Sequence, residues 1–584
     1  MKLVRREPCG QIAAGKTSTL LERVFSMRGI NHNDELQLNL KNLYPISSLK
    51  GIDRATNILV NAFEDKRNIL IIGDFDADGA TSTALAVKAL KLLGYKGSVD
   101  YLVPNRFEYG YGLTPEIVKH AKIYSPDIII TVDNGISSVK GVEQAKRQGY
   151  KVIITDHHLP GKNLPSADAI INPNQAGDNF QSKNLAGVGV IFYLMLALKN
   201  SLMAKGYFSK NSIEAPNLLE LIDLVALGTV ADVVPLDQNN RILVEQGLRR
   251  MRSGKACAGI QALFQIAKRN INNAVSTDLA FACGPRLNAA GRLDDMSLGI
   301  ECLLATDLQQ AIDLASALDD LNIERRAIEE SMKAEALTLL EALDNDKLSG
   351  ELPPVICLYK DNWHQGVIGI LAARVRERYN RPAIIFAPAN IDGEQASADS
   401  DGDEIKGSAR SITTLHIRDI FDEVATNYPG LLDKFGGHAM AAGLSLRKNQ
   451  LAEFTEAICD VVTKQVNTET FQEVHLSDGK LHPKEFELKQ ADELRYAAPW
   501  GQHFPAPVFD NRFKLVNKRL LKEKHLKLLL VPEGQSRSVA AIAFNVDIDK
   551  WPEEGETVHL LYRLEVNEFR GSSSLQLMVD QLIN

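Results

Sequence analysis

The chain has 584 residues, 45% of them hydrophobic and 24% charged, with a formal net charge of −8. That length is too great for one hydrophobic core and at roughly 100 to 200 residues per domain implies three or four units, while the composition excludes a disordered or fibrous protein. No stretch reaches the ~18 uninterrupted apolar residues of a membrane span, and Met1 to Gly10 is basic and polar without the apolar core of a secretory signal, so a cytoplasmic multidomain enzyme without a membrane partner is expected.

In chain order, the first third repeats a short Ile/Val-rich run, a polar or Gly-rich loop and a helical stretch, the pattern of a doubly wound parallel α/β sheet. Asn68 to Ile72, Asp127 to Val132 and Lys151 to Thr155 each read as a buried strand, and each runs directly into acidic or histidine residues. Ligands in such folds bind at the carboxyl ends of the strands. Leu218 to Pro235 is an apolar helix-like run with an Asp near its end. From Asp307 to about Leu343 there is neither Gly nor Pro, and apolar residues keep helical spacing, which predicts a long connecting helix. A second α/β unit begins at Val355 and runs to about Lys464. The remainder, rich in alternating segments such as Lys527 to Val531 and Val539 to Phe544, suits a small OB-like β-barrel. The expected division is an N-terminal segment 1–50, a catalytic domain 51–305, the connecting helix 306–346, a second α/β domain 347–465 and the barrel 466–584.

The six cysteines are scattered singly, without the close pairs that zinc or a redox dithiol needs. The acidic net charge is unfavourable to nucleic acid, but distribution matters more than total. Between Arg512 and Lys527 lie seven Lys or Arg and one Glu, interleaved with apolar residues; this is either a nucleic-acid surface or a solvated strand face.

Asp74, Asp76 and Asp78 stand at alternate positions just past the first strand, so an extended backbone aims them to one side. A helix N-terminus accounts for one such Asp but hardly three. A calcium loop of the EF-hand type needs a Glu where Leu85 stands. Asp133-Asn134-Gly135 and Asp156-His157-His158 end the next two strands. In a parallel sheet these ends converge on one rim, giving the mixed oxygen and imidazole set suited to Mn²⁺ or Mg²⁺. Asp232 adds a carboxylate after an apolar stretch, where an unpartnered charge is costly. Five or six ligands suffice for two ions, which together turn a bound water into hydroxide and stabilise both oxygens of a phosphoester displacement.

These residues resemble the DHH superfamily of phosphoesterases, named for the triplet found here at Asp156-His157-His158, and within it the RecJ-like exonucleases of single-stranded DNA. The likeness extends over nearly the whole chain. It is carried also by Pro104-Asn105-Arg106 with Gly110-Tyr111-Gly112, by Gly284 to Arg292 (GPRLNAAGR), by His364 to Ile370 (HQGVIGI), by Gly407 to Ser411 (GSARS) and by Gly436 to Gly443 (GGHAMAAG). The resemblance implies that the second α/β unit is a DHHA1-like domain that grips substrate while the first cuts.

It further implies that Asp76, Asp78, Asp133, His157 and Asp232 are metal ligands, with Asp133 the bridge and Asp74 a further candidate. By the same likeness His158 faces the scissile phosphate, and Arg286, Ser408, Arg410 and the Gly437–His438 turn hold the 5′-terminal phosphate and adjoining backbone. Arg106, Asn288, His364 and Arg374, in or beside the same motifs, complete the expected substrate-binding set, with His158, Asp133 and Arg286 as the catalytic group. Arg374 has ordinary ion pairing as its alternative. The activity implied is processive 5′-to-3′ hydrolysis of single-stranded DNA to nucleoside 5′-monophosphates in recombination and repair, by a monomer working with a helicase and a single-strand-binding protein. The rivals are a DHH phosphodiesterase of oligoribonucleotides, cyclic dinucleotides or polyphosphate, and a noncatalytic DNA-binding scaffold.

Overall fold

The computed structural model describes residues 2–10, 18–104, 112–346, 352–389, 404–432, 434–467, 470–569 and 571–583. It forms two compact units, one made of Leu3–Asp319 with Leu476–Asn584 and the other built on Asp320–His475.

The first unit is organised by α1 (Ile52–Asp65), β1 (Ile69–Ile72), α2 (Ala77–Leu92), β2 (Val99–Leu102), β3 (Ile128–Val132), β4 (Lys151–Thr155) and β5 (Ala169–Ile171). The strands lie in the order β2-β1-β3-β4-β5, all parallel, with Ile69 opposite Ile128 and Ile128 opposite Lys151. Every residue of β1 and β3 is buried, which is why these strands read as continuous β-branched runs instead of alternating ones. The chain moves outward from β1 to β2 and then returns past β1 to β3. That reversal opens a crevice at the carboxyl ends of β1 and β3, where doubly wound sheets bind ligands.

Helix α2 is buried nearly all round, and it packs against α3 (Gly187–Ala204) and α4 (Ile222–Ala231). By length and composition α3 could cross a membrane, yet 61% of it is buried inside the protein. It is a core helix, apolar on every side because neighbours surround it. Two further helices follow, α5 (Gly284–Leu293) and the 39-residue α6 (Leu308–Asp346).

The second unit carries β6 (Ile356–Tyr359), α7 (Ile368–Tyr379), β7 (Ala383–Pro388), β8 (Glu404–Arg410), β9 (Lys434–Gly437) and β10 (Ala441–Arg447) in the order β9-β10-β8-β7-β6. Only β6 and β7 are parallel, joined through α7 as a crossover requires. Phe386, Phe421, Phe454 and Leu446 fill its core.

The C-terminal strands β11 (Phe509–Leu521), β12 (His525–Pro532), β13 (Val539–Phe544), β14 (Thr557–Phe569) and β15 (Ser572–Ile583) close into a barrel in the order β11-β12-β13-β15-β14. Phe513, Leu515, Leu526 and Leu528 point inward while Arg512, Lys514 and Lys527 are exposed, so the basic strip is first of all the wet face of an alternating strand. A register shift between Leu515 and Asn517 reorients the rest of β11, setting Arg519 opposite Lys527 on the outer face. The barrel belongs to the same compact unit as the parallel sheet. Part of the fastening is at Asp478, whose buried carboxylate accepts both forks of Arg28 at 2.6 and 2.8 Å and one from Arg6 at 3.1 Å.

Candidate metal centre

Asp76 caps α2, its Oδ1 accepting the N–H groups of Asp78 and Gly79, both at 3.0 Å. This is the ordinary N-cap arrangement, and it turns Asp78 into the protein. There Asp78 is 1% exposed, and its two oxygens accept the N–H groups of Gly187 and Val188 at 2.6 and 2.9 Å. One carboxylate in the first turn of α2 therefore also meets the positive end of α3. Asp74 is buried beside them, its Oδ1 accepting Phe75 N–H at 2.8 Å.

Asp133 follows β3 with φ at +62°, a left-handed conformation that Asp tolerates better than most residues. Asn134 secures it, donating from Nδ2 to the carbonyls of Ile72 at 3.0 Å and Val132 at 2.9 Å and so tying two strand ends together. After β4, His157 places Nε2 3.1 Å from Asp133 Oδ1 and 3.4 Å from Asp232 Oδ2. Asp232 caps the carboxyl end of α4, where the helix dipole disfavours a negative charge.

Ligand atoms of Asp74, Asp76 and Asp133 lie within 4.8 Å of one another, as do those of Asp78, His157 and Asp232, and those of Asp133, His157 and His158. Burial first, then the charge of neighbouring aspartates, holds the carboxyls of Asp74, Asp133 and Asp232 well above the ordinary carboxylate range. The same causes raise Asp78 to about 7. Carboxylates crowded and buried in this way, one at the wrong end of a helix, need a positive partner, and oxygen ligands with imidazole and no thiolate fit Mn²⁺ or Mg²⁺.

Asp156 is not a member of that set. Its Oδ1 accepts from the backbone of His157 at 2.7 Å and of His158 at 3.1 Å and lies 2.8 Å from His158 Nδ1, while Oδ2 accepts Ile136 N–H at 2.8 Å. Burial pushes the Asp156 carboxyl up, but these contacts outweigh it and hold it low. Burial likewise pulls His158 down, and the Asp156 hydrogen bond and charge overcome this and raise it to about 9. His158 Nδ1 is thus committed to Asp156, leaving Nε2 as the atom able to meet a phosphate oxygen.

Helix α5 runs along this rim. Asn288, expected at the substrate, has its Oδ1 accepting Ala77 N–H at 2.8 Å and so steadies the loop carrying Asp76 and Asp78. Arg286 is 8% exposed, pairs with Asp319 at 2.8 Å and donates to Ala282 C=O at 2.6 Å. The preceding π-helical turn Leu279–Cys283 exposes Phe281, 72% open to solvent.

In the second unit, Arg410 Nη1 is 3.3 Å from Ser408 Oγ. A Cβ on Gly369, in the first turn of α7, would lie 3.0 Å from Ser408 Oγ and 3.1 Å from Arg410 Nη2. Burial and then the charge of Arg376 lower Arg410, and among the described residues it has no carboxylate partner. Gly437, with φ at +140°, and His438, whose N–H donates to Ala441 C=O at 2.8 Å, form a tight turn beside β10. His364 Nδ1 accepts Gly366 N–H at 3.1 Å. Arg374 is held by Glu329 at 3.1 Å and Glu377 at 3.2 Å, the ion-pair alternative. Arg106 lies outside the described residues.

Residues 68–229 match the DHH family N-terminal domain, 352–464 the DHHA1 domain and 477–581 the RecJ OB domain. The single-stranded-DNA-specific exonuclease RecJ of Escherichia coli (strain K12) is 51% identical over 96% of this chain and 95% of its own length. The chain belongs to the RecJ family. The crystal structure of RecJ from Thermus thermophilus in complex with Mn²⁺ superposes with a TM-score of 0.75 at 27% identity, covering 97% of this chain and 76% of that one. RecJ from the same organism in complex with Mg²⁺ gives 0.71 at 25%, covering 97% and 75%. Mn²⁺ or Mg²⁺ is accordingly the cofactor, and the donor set around Asp133 could hold such an ion.

Three groups escaped the reading of the sequence. Asp156 orients His158. A Cβ at Gly187 would stand 2.6 Å from Asp133 Cβ, and one at Gly228 would stand 2.8 Å from Asp78 Oδ1, so both glycines keep the cluster compact. Phe281 carried no motif, and only its exposure in the structure singles it out.

Proposed function

We propose that this RecJ family member is a metal-dependent exonuclease that degrades single-stranded DNA from the 5′ end, processively, to nucleoside 5′-monophosphates in recombination and repair. The observation that carries the reading is the convergence of three strand-end motifs and Asp232 on one buried cluster, in a chain half-identical over nearly its whole length to a single-stranded-DNA-specific exonuclease.

Asp74, Asp76, Asp78, Asp133, His157 and Asp232 would hold two ions. When bound, such ions supply an activated water and charge stabilisation for the displacement. His158, turned by Asp156, hydrogen-bonds the scissile phosphate through Nε2. Arg286, fixed by Asp319, offers its remaining N–H groups to the backbone. Ser408, Arg410 and the Gly437–His438 turn take the terminal phosphate, for which a half-buried guanidinium without a carboxylate partner among the described residues is suited. Phe281 offers a face on which any base can stack, a sequence-tolerant contact worth roughly 1 to 3 kcal/mol. Arg519 and Lys527 on the barrel add a salt-sensitive attraction for the strand.

The domains assigned are the segment 1–50, the catalytic domain 51–305, the helix 306–346, the gripping domain 347–465 and the barrel 466–584. The protein works as a cytoplasmic monomer with a helicase and a single-strand-binding protein.

The test is digestion of 5′-labelled and 3′-labelled single strands and of a blunt duplex in Mn²⁺ or Mg²⁺ and in EDTA. Immediate release of the 5′ label as a mononucleotide, gradual shortening of the 3′-labelled strand, and silence on duplex and in EDTA are expected. Loss of the 3′ label first would refute the polarity, and hydrolysis of oligoribonucleotides or polyphosphate in place of DNA would refute the substrate.

A further inference from the structure

In the second unit, Ser408 and Arg410 stand at alternate positions on the half-buried face of β8, while Ile405 and Ala409 turn into the core. Helix α7 lies over β7 and β8, and Gly369 in its first turn stands against Ser408 and Arg410. Arg376 follows Gly369 by seven positions, two helical turns or about 10.5 Å along α7, and therefore shares its face. Between them on that face come Ala372 and Ala373, whose small side chains leave the way open. A long side chain leans toward the amino end of its helix, so the Arg376 guanidinium is carried back toward Arg410, near enough for its charge to be felt there.

Arg376 has two ordinary explanations. It stands in the last turn of α7, where a basic residue complements the helix dipole, and its Nη2 is 3.6 Å from Glu377 Oε1. The dipole is served equally by Arg378, which is exposed. A separation of 3.6 Å is beyond a hydrogen bond, and Glu377 already holds Arg374 at 3.2 Å through its other oxygen. Neither explanation accounts for Nε, which is buried without an acceptor among the described residues, on a side chain only 33% exposed. A guanidinium left in that state near a second one costs free energy until an anion arrives.

Arg410 has only part of its fork to give, since Nη1 donates to Ser408 Oγ and Ala409 C=O. A phosphodiester within a strand brings one negative charge, whereas a terminal phosphate monoester brings about −1.5 to −2 at neutral pH. One guanidinium answers the first charge, and the second calls for another positive group. Lys406, two positions before Ser408 on the same face of β8, is the competitor for that role, but it is a hydrated point charge without a fork and without a buried donor awaiting an acceptor.

We propose that Arg376 reads the second negative charge of a 5′-terminal phosphate monoester, so that the protein tells a strand end from a phosphodiester within a strand. The inference rests on the proposed terminal-phosphate site at Ser408 and Arg410.

The test compares three oligothymidylates, ending in a 5′-phosphate, in the methyl ester of that phosphate and in a 5′-hydroxyl, by release of the first nucleotide at pH 8 in Mn²⁺. Arg376→Ala is expected to lower kcat/KM about tenfold on the phosphate monoester and about twofold at most on the methyl ester and the hydroxyl. Arg410→Ala should lose on monoester and methyl ester alike, and Arg378→Ala should match the wild type on all three. If Arg376→Ala perturbs folding by circular dichroism, Arg376→Gln replaces it, with the same pattern expected. No loss, equal loss on all three ends, or equal loss on monoester and methyl ester would overturn the proposal. So would the same selective loss in Arg378→Ala, which would assign the effect to the helix end, or in Lys406→Ala with Arg376→Ala unaffected, which would assign it to β8. A wild type that treats the three ends alike would remove the terminal-phosphate site itself and this inference with it. If the wild type prefers the phosphate and Arg410→Ala loses that preference while Arg376→Ala keeps it, the inference alone fails.

Discussion

At the ends of β1, β3 and β4 the chain crowds carboxylates whose burial and mutual charge raise them above the ordinary range; at Ser408 and Arg410 in the second unit it half-buries a guanidinium near another, with no carboxylate partner among the described residues. The two regions are unbalanced in opposite senses, and neither imbalance helps the protein to fold. On the proposed reading, each would be relieved by a ligand of the missing sign, a divalent cation in the first and a phosphate in the second. The acidic region is also the more rigidly built, its carboxylates pinned by backbone N–H groups of two helices, whereas Arg410 is held by one serine and one carbonyl.

The largest effect should come from Asp133→Asn, which keeps the shape and the left-handed backbone but removes the charge. We expect kcat to fall at least about 10³-fold, while the metal-free protein melts higher at pH 8 because the repulsion is gone. Lower metal-free stability would contradict the account of the cluster as a source of strain.

Next is the linkage to pH and metal. Groups whose folded pKa is raised hold protons in the native state that the unfolded chain releases, so their stabilising contribution is complete below the unfolded value and is lost as pH rises through the folded one. For Asp78 that window runs from 3.8 to about 7. Metal-free Tm should therefore decline from pH 5 to pH 7.5, and the gain on adding Mn²⁺ should grow over the same range. At a hundred times Kd the ion contributes about 2.7 kcal/mol. A Mn²⁺ gain independent of pH would mean that the ion does not displace these protons.

On the phosphate side, Arg410→Ala should lower kcat/KM about 30-fold on 5′-phosphorylated single strands. The loss should shrink on 5′-hydroxyl strands, since the partner proposed for Arg410 is the terminal phosphate. Equal losses on both would place Arg410 elsewhere along the DNA.

How much of this was legible in the sequence depends on the physics of each part. The strand-end motifs were readable because a parallel sheet brings its carboxyl ends to one rim whatever the loop lengths, and the barrel was readable because alternation survives in segments such as Lys527 to Val531. Contacts made across long stretches of chain were not. Asp78 receives the amino end of α3 from 109 positions away, and Gly187 and Gly228 matter only because Asp133 and Asp78 lie against them. Asn288 stands in a motif, yet the motif gives no sign that its side chain reaches Ala77 instead of substrate. Asn288→Ala should therefore act through the metals, with an activity loss of about tenfold that is recovered at higher Mn²⁺. A loss that Mn²⁺ leaves untouched, with raised KM for DNA, would return Asn288 to the substrate.

The smallest effect is expected at Arg374. Its guanidinium bridges α6 and α7 through Glu329 at 3.1 Å, with Glu377 at 3.2 Å on its own helix, and about half of its side chain is open to solvent. Half-exposed pairs of this kind contribute about 0 to 1 kcal/mol. A phosphate would have to compete with two carboxylates already in place, which is the reverse of the situation at Arg410. Arg374→Ala should change kcat/KM less than about twofold and lower Tm slightly, whereas a loss comparable to that of Arg410→Ala would show that substrate draws Arg374 away from both glutamates, and that acid pairing does not distinguish structural arginines from phosphate-binding ones in this protein.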